Sequence, residues 1–180
     1  MAPREKAEAI QYGFKKVSLA NLLKSDAHIS IRSSLQGDRW VRACLRPQLE
    51  SCVPEEIAFL FEVARGSMVY GMFFLPLASL ASEQCYRVLE AGARKRCADL
   101  GLGKVKRSKS NNPKIDTGFA EILDALKSAD KIPKTDLDAW TTMPFLRNRF
   151  SHPTSQSIHT LQSALGVVEF TAELLNRLFK

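Results

Sequence analysis

A short stretch near residue 150 contains an arginine and a histidine whose chemistry suits phosphodiester cleavage. Residues 145–153 read Phe-Leu-Arg-Asn-Arg-Phe-Ser-His-Pro, which places Arg147 and His152 five positions apart. A neutral imidazole, with a free pKa of about 6.5, can take the proton from a ribose 2′-hydroxyl, and its charged form can protonate the leaving 5′-oxygen. A guanidinium can stabilise the extra negative charge on the phosphorus-centred transition state. This scheme for cutting RNA requires no metal ion.

The spacing of Arg147 and His152 is compatible with a catalytic role for the two residues and also with a purely structural one. Five helical residues advance about 7.5 Å and turn about 140° past a full rotation, so short side chains at this spacing would not meet. Arginine is long, and Pro153 disfavours helical geometry at His152, so the two groups can converge where the helix ends. Asn148 could then orient the imidazole or hold a phosphate oxygen, and Ser151 could assist. Alternatively, Arg147 only satisfies the last carbonyls of a helix and His152 only marks its end.

The pattern before the motif predicts the helix that positions it. Thr135 can cap this helix, with Asp136 and Asp138 in its first turn. Its apolar residues are Leu137, Trp140, Phe145 and Leu146. Pro144 strains the helix unless the helix bends or restarts there. A shorter helix over residues 119–126 precedes it across a turn at residues 131–133, and an amphipathic helix that begins near Ser157 follows it.

Two further helices are predicted in the middle of the chain. One opens at Pro54 and is interrupted by Gly66. After Gly71 a long helical pattern runs towards Leu100, and Gly101 is a suitable stop. Pro76 either occupies the first turn of this long helix or kinks a helix that is already running.

The long helix carries a stripe of alternating charge at steps of four, three and four residues. Its members are Glu83, Arg87, Glu90 and Arg94. Such a stripe is most often a solvated face with ion pairs along it. Arg87 and Glu90 could instead line a cleft and contact substrate.

The arrangement of these patterns predicts an all-α fold. Period-2 alternation that would build a sheet does not occur, so we expect a bundle of four to five main helices with additional short N-terminal helices. Residues 1–53 are predicted to form a helical or irregular extension, with helical pieces over residues 17–23 and 40–49. Residues 54–180 form the main helical domain. The length of 180 residues suits one hydrophobic core.

The charge of the chain favours a polyanionic partner. The formal net charge is +7 and the isoelectric point is about 9.4, which supports RNA as a partner only together with a site. Residues 103–118 are predicted to form a basic loop in which Lys104, Lys106 and Arg107 either contact phosphate or belong to a solvated connection. Arg149 is likewise a phosphate contact or an ordinary surface cation.

The cysteines and the apolar segments of the sequence predict where the protein is located and whether it binds a cofactor. The four cysteines lack the paired spacing of metal or redox sites, so we expect reduced thiols, no metal and no cofactor. The first residues mix charges of both signs, and the most apolar window, residues 68–81, is too short to cross a bilayer. A cytoplasmic protein without a membrane partner is expected.

The motif and its surroundings resemble the HEPN domain family over about residues 54–180. Arg147-Asn148, three intervening residues and His152 match the arginine, spacer and histidine motif of that family. The segments around residues 119–126, 131–134 and 137–148 resemble the helix, turn and helix that precede the motif in many bacterial members. Residues 80–100 resemble their earlier long helix.

The resemblance implies a function and an assembly. It implies a metal-independent endoribonuclease that leaves a 2′,3′-cyclic phosphate, with Arg147 and His152 catalytic and Asn148 supporting. It also implies a homodimer with two motifs across a shared cleft, and a role as a toxin or phage-defence effector that has an antitoxin or other partner protein. Thr154 stands where one branch has a regulatory tyrosine, so that control is not expected here. The alternative is a non-catalytic module that binds RNA, a nucleotide or a protein.

Overall fold

The fold is built from α-helices, as the sequence predicted. The computed structural model describes residues 17–25, 37–102, 118–151 and 160–180. The helices of these ranges are α1 (Asp38–Leu45), α2 (Glu55–Tyr70), α3 (Pro76–Asp99), α4 (Phe119–Ser128), α5 (Leu137–Ser151) and α6 (Leu161–Leu178), with a short 3-10 turn at Lys134–Asp136 before α5. No strand occurs in these ranges, so the predicted all-α class is confirmed.

Helix α3 lies at the centre and packs against α2, α4, α5 and α6. Its buried face uses small residues and thiols as well as Val88 and Leu89, which allows neighbouring helices to come close. One close approach is at Gly92, where an added Cβ would lie 2.5 Å from Cδ2 of Leu175 on α6. Glycine at this position therefore sets the spacing between α3 and α6.

Residues before α2 belong to the same core. Trp40 on α1 is fully buried, and its indole N–H donates to the backbone carbonyl of Val69 at 3.2 Å. The segment between α1 and α2 is fastened to α6, because the Asn176 amide donates to the carbonyl of Gln48 and accepts from the N–H of Glu50. The predicted helical piece over residues 17–23 is wrong, since that segment forms turns.

Two expectations about breaks in the central helices are decided by the structure. Helix α2 continues through Gly66 to Tyr70, so the predicted interruption is wrong. A glycine inside a helix costs about 1 kcal/mol relative to alanine, and the packing of α2 offsets this. Pro76 stands in the first turn of α3, which selects the first of its two interpretations. Gly101 has a φ of 64°, which suits its predicted role as the stop of α3.

Helix α5 runs without a restart across Pro144. The proline ring removes one donor from the helix, so the carbonyl four residues earlier loses its partner. Trp140 and Met143, four residues and one residue before Pro144, are buried and hold this turn against the core. The core therefore keeps helical a segment whose local sequence would allow a break.

The last helix begins later than expected. Thr160 has an extended backbone, and its hydroxyl accepts from the N–H of Ser163 at 3.2 Å, so α6 starts at Leu161 rather than near Ser157. Helix α6 then packs its apolar stripe against α3. Among the described helices, none combines the length and the apolar composition that a membrane span requires.

Candidate functional site

The candidate site lies where the last turns of α5 meet the middle of α3. Arg147 on α5 donates from Nε to Oε2 of Glu90 on α3, at 2.9 Å. The two residues are 57 positions apart in the chain. The contact therefore depends on the packing of α5 against α3.

A second arginine shares the same carboxylate. Arg94 donates from Nη2 and Nε to Oε1 of Glu90, at 2.8 and 3.1 Å. Both carboxylate oxygens of Glu90 thus accept from guanidinium groups, and its side chain is only 13% exposed. Two cations on one anion leave this cluster with one net positive charge, which favours an anionic ligand.

Arg147 remains open to solvent despite its ion pair. Its side chain is 40% exposed, and Nη1 also donates to the side-chain oxygen of Asn148 at 3.3 Å. Guanidinium groups bind phosphate through several N–H donors in a fixed fork. The geometry therefore presents a held, solvent-accessible guanidinium at which a phosphate could bind.

Helix α5 is also fixed at its other end. Asp136, just before α5, accepts from Nε of Arg177 on α6 at 2.7 Å, and the Asp136 side chain is nearly buried. Between the two ion pairs, Trp140 and Met143 pack into the core. The helix that carries the motif is thus held at three points along its length, which is what a precisely placed arginine needs.

The other charged residues of the stripe on α3 differ in environment. Arg87 is exposed one turn before Glu90. Burial raises the pKa of the Glu83 carboxyl, while the neighbouring Arg87 acts in the opposite direction. The stripe therefore combines a solvated part around Arg87 with an ion-paired part at Glu90. Contact of Arg87 and Glu90 with substrate stays a prediction.

The described ranges cover half of the predicted site. Arg147, Asn148, Arg149, Glu90 and Arg87 are described, and Asn148 and Arg149 are exposed. Ser151 ends α5 and only its backbone is described. His152, Lys104, Lys106 and Arg107 lie outside the described residues. The convergence of Arg147 and His152 therefore stays a prediction.

Two features of the site differ from what the sequence predicted. Arg94 was not among the predicted site residues, although its spacing of four from Glu90 signals an ion pair on one helix. Phe145, one of the apolar residues predicted for this helix, is 62% exposed. The buried residues Trp140 and Met143 define the inner face together with Arg147. Phe145 precedes Arg147 by two residues, about 200° of rotation, and so lies on the outer face.

The described residues offer little else that could hold a cofactor. Within the described ranges, no three histidine, cysteine or carboxylate side chains are grouped closely enough to bind a metal ion. A depression between α4 and α5 is lined mainly by apolar side chains, including Leu123, Ile132 and Trp140, with Asp124 and Lys127 beside them. Its lining holds few charged groups, so the arginine cluster is the stronger candidate for binding an anion.

The chain was compared with protein-family models, with curated proteins and with solved structures, and none of the three comparisons gives a match.

Proposed function

We propose that this protein is a metal-independent endoribonuclease of the HEPN type. The observation that supports the proposal is the position of Arg147, which is held by Glu90 at the end of α5 while 40% of its side chain faces solvent. His152 follows directly after Ser151, the last residue of that helix. A fixed guanidinium and a histidine five positions later in the chain are the two groups that the proposed reaction requires.

The reaction requires two proton transfers at one phosphate. The His152 imidazole takes the proton from the ribose 2′-hydroxyl, and the 2′-oxygen attacks the phosphorus. The bond from phosphorus to the 5′-oxygen breaks, that oxygen takes up a proton, and a 2′,3′-cyclic phosphate remains. Arg147 stabilises the negative charge on the non-bridging oxygens as it grows. Asn148 supports the site, since it already contacts the guanidinium.

Other residues have supporting roles in the proposal. Glu90 orients Arg147, and an oriented guanidinium loses less freedom when phosphate binds. Arg87 and Arg149, both exposed, supply further positive charge along the path of the RNA. Lys104, Lys106, Arg107 and Ser151 complete the proposed set of substrate contacts. Two copies of the chain would form a homodimer with facing motifs, acting as a toxin or phage-defence effector under control of a partner protein.

Cleavage of RNA in the presence of EDTA tests the proposal. We expect the purified protein to cut single-stranded RNA without divalent ions and to leave a 2′,3′-cyclic phosphate and a 5′-hydroxyl. His152→Ala and Arg147→Ala should each lower the rate by about 100-fold or more, which is the usual contribution of a general base or a charge-stabilising group. A substrate with a single 2′-deoxyribose at the scissile nucleotide should resist cleavage.

His159→Ala is the matched control, because His159 lies in the same part of the chain but outside the motif. It should cut RNA at the unsubstituted rate. Equal cleavage by His152→Ala, or activity that EDTA abolishes, would contradict the proposal. Binding of RNA without turnover would instead favour the non-catalytic alternative. Growth arrest of bacteria that express the chain, relieved by His152→Ala, would support the toxin role.

A further inference from the structure

We propose that Phe145 is a stacking platform for an unpaired nucleobase on the outer face of α5, beside Arg149. The inference rests on the proposed function for the identity of the ligand as RNA, and it adds a residue that would bind an unpaired base of the strand. Its basis is the exposure of one aromatic side chain on an otherwise polar helix face that leads to the motif.

Phe145 is a large apolar side chain that the core of the described residues leaves unburied. Its side chain is 62% exposed, although α5 has buried Trp140 and Met143 on its inner face. A phenylalanine ring in water forgoes about 2 kcal/mol of burial energy, so a place for it in the core would have been favourable. Single exposed apolar residues are common, so exposure alone does not identify a role. The neighbours of Phe145 supply the second observation.

The neighbours of Phe145 are an amide and a guanidinium, side chains of the kind that bind the phosphates of a nucleic acid. Asn148 and Arg149 are three and four residues further along α5, which places their Cβ atoms about 5–6 Å from that of Phe145 on the helix surface. Both side chains are exposed. Arg147, which Asn148 contacts, has its guanidinium at the same end of the helix. Aromatic rings beside arginine are the usual components of sites for single-stranded nucleic acid.

The surroundings of Phe145 argue against a protein partner. Exposed residues on its face of α5 are polar, and they are Asp138, Thr141, Thr142, Asn148 and Arg149. A helix that paired with another helix would instead show a continuous apolar stripe. Helix α2 has such a stripe, with Phe59, Val63 and Tyr70 exposed on one side. Phe145 is isolated among hydrogen-bonding groups, and this pattern suits a base with its sugar and phosphate.

Stacking on Phe145 would select unpaired bases. The ring needs an open π-face of the base, and in a duplex the neighbouring base pairs cover those faces. Stacking tolerates any base, so Phe145 would secure a flexible strand without reading its sequence. The phosphate next to the stacked base could then reach Arg149, which shares the outer face of α5 with Phe145.

The test measures binding of an uncleavable strand, so that it does not depend on catalysis. The probe is a short fluorescent oligonucleotide of 2′-O-methyl ribonucleotides, with fluorescence anisotropy as the readout. Phe145→Ala should weaken binding by about 5- to 100-fold, the range found when one stacked aromatic is removed. Phe145→Trp should retain the affinity. Phe59→Ala, on the apolar side of α2, is the matched control and should bind as the unsubstituted protein does.

A spectroscopic readout separates stacking from a loss of structure. The native Trp40 and Trp140 are fully buried, so Phe145→Trp introduces an accessible indole. The oligonucleotide should quench its emission, and it should not quench the indole of Phe59→Trp. A duplex of the same sequence should give no quenching at position 145.

Several results would overturn the inference. These are equal binding by Phe145→Ala, absence of any binding, quenching by duplex as strong as by single strand, or a dimer that Phe145→Ala converts to a monomer. The last result would assign the ring to a protein contact. Cleavage without any effect of Phe145→Ala on binding or rate would leave the proposed function intact and refute only the stacking role. Stacking without cleavage would leave the stacking role intact and refute the proposed function.

Discussion

The ion pair between Glu90 and Arg147 should couple α3 to α5 by a measurable free energy. Glu90 accepts from Arg94 as well as Arg147, and its carboxylate is 13% exposed. A hydrogen bond to a charged group contributes about 1.5–3 kcal/mol when it is shielded from water. Arg147 is 40% exposed, so solvent screening lowers the value for its bond with Glu90 to about 1 kcal/mol.

A double-mutant cycle isolates that value. Glu90→Gln keeps the shape of the side chain and removes its charge, which leaves two arginines without their shared partner. We expect it to lower the free energy of unfolding by about 2–3 kcal/mol and the melting temperature by about 4–12 °C. Arg147→Ala should cost about 1 kcal/mol in the native background and close to zero in the Glu90→Gln background.

The assay is urea unfolding followed by circular dichroism, at low and at physiological salt. The matched control is the pair Lys95 and Asp99, which lies on the same helix α3 at 2.5 Å with both side chains partly exposed. Its coupling energy should be smaller than that of Glu90 and Arg147 and should fall with salt. If the coupling of Glu90 and Arg147 is no larger than that of the control pair, the ion pair does not hold α5 against α3.

Two further perturbations test the packing and the buried thiols. Gly92→Ala should lower the free energy of unfolding by about 1–2 kcal/mol, because the added methyl meets Leu175. Gly66→Ala should raise it by up to about 1 kcal/mol, because the added methyl meets nothing within 4 Å. Equal effects of the two substitutions in thermal unfolding would contradict the packing at Gly92. Burial raises the pKa of the Cys85 and Cys44 thiols to about 12, so the unfolded chain loses these protons at a lower pH than the folded chain does. The free energy of unfolding should therefore fall as the pH rises above about 9, by up to about 1.4 kcal/mol per pH unit for each thiol. Cys85→Ala should reduce the slope of stability against pH, and an unchanged slope would refute the assignment.

Local signals in the sequence determined the helices and most of their ends. Pro54 and Gly101 stand next to helix ends because each favours a backbone geometry that depends only on its own residue type. The apolar periodicity of α6 predicted its buried face, since a helix repeats every 3.6 residues whatever its neighbours are. The types and spacing of Arg147 and His152 suggested phosphodiester cleavage, because the reactivity of a side chain follows from its residue type.

Tertiary packing decided the features that depend on distant parts of the chain. The partner of Arg147 is 57 residues away, and no local pattern ranks Glu90 above Glu83 as that partner. Helix α2 passes through Gly66 because the core stabilises its flanking turns by more than one glycine costs. Phe145 faces water because Trp140 and Met143 occupy the core, and hydrophobicity alone does not distinguish the inner face of a helix with mixed composition. Sequence spacing sets which side chains share a helix face, and only the packing between helices determines what each face meets.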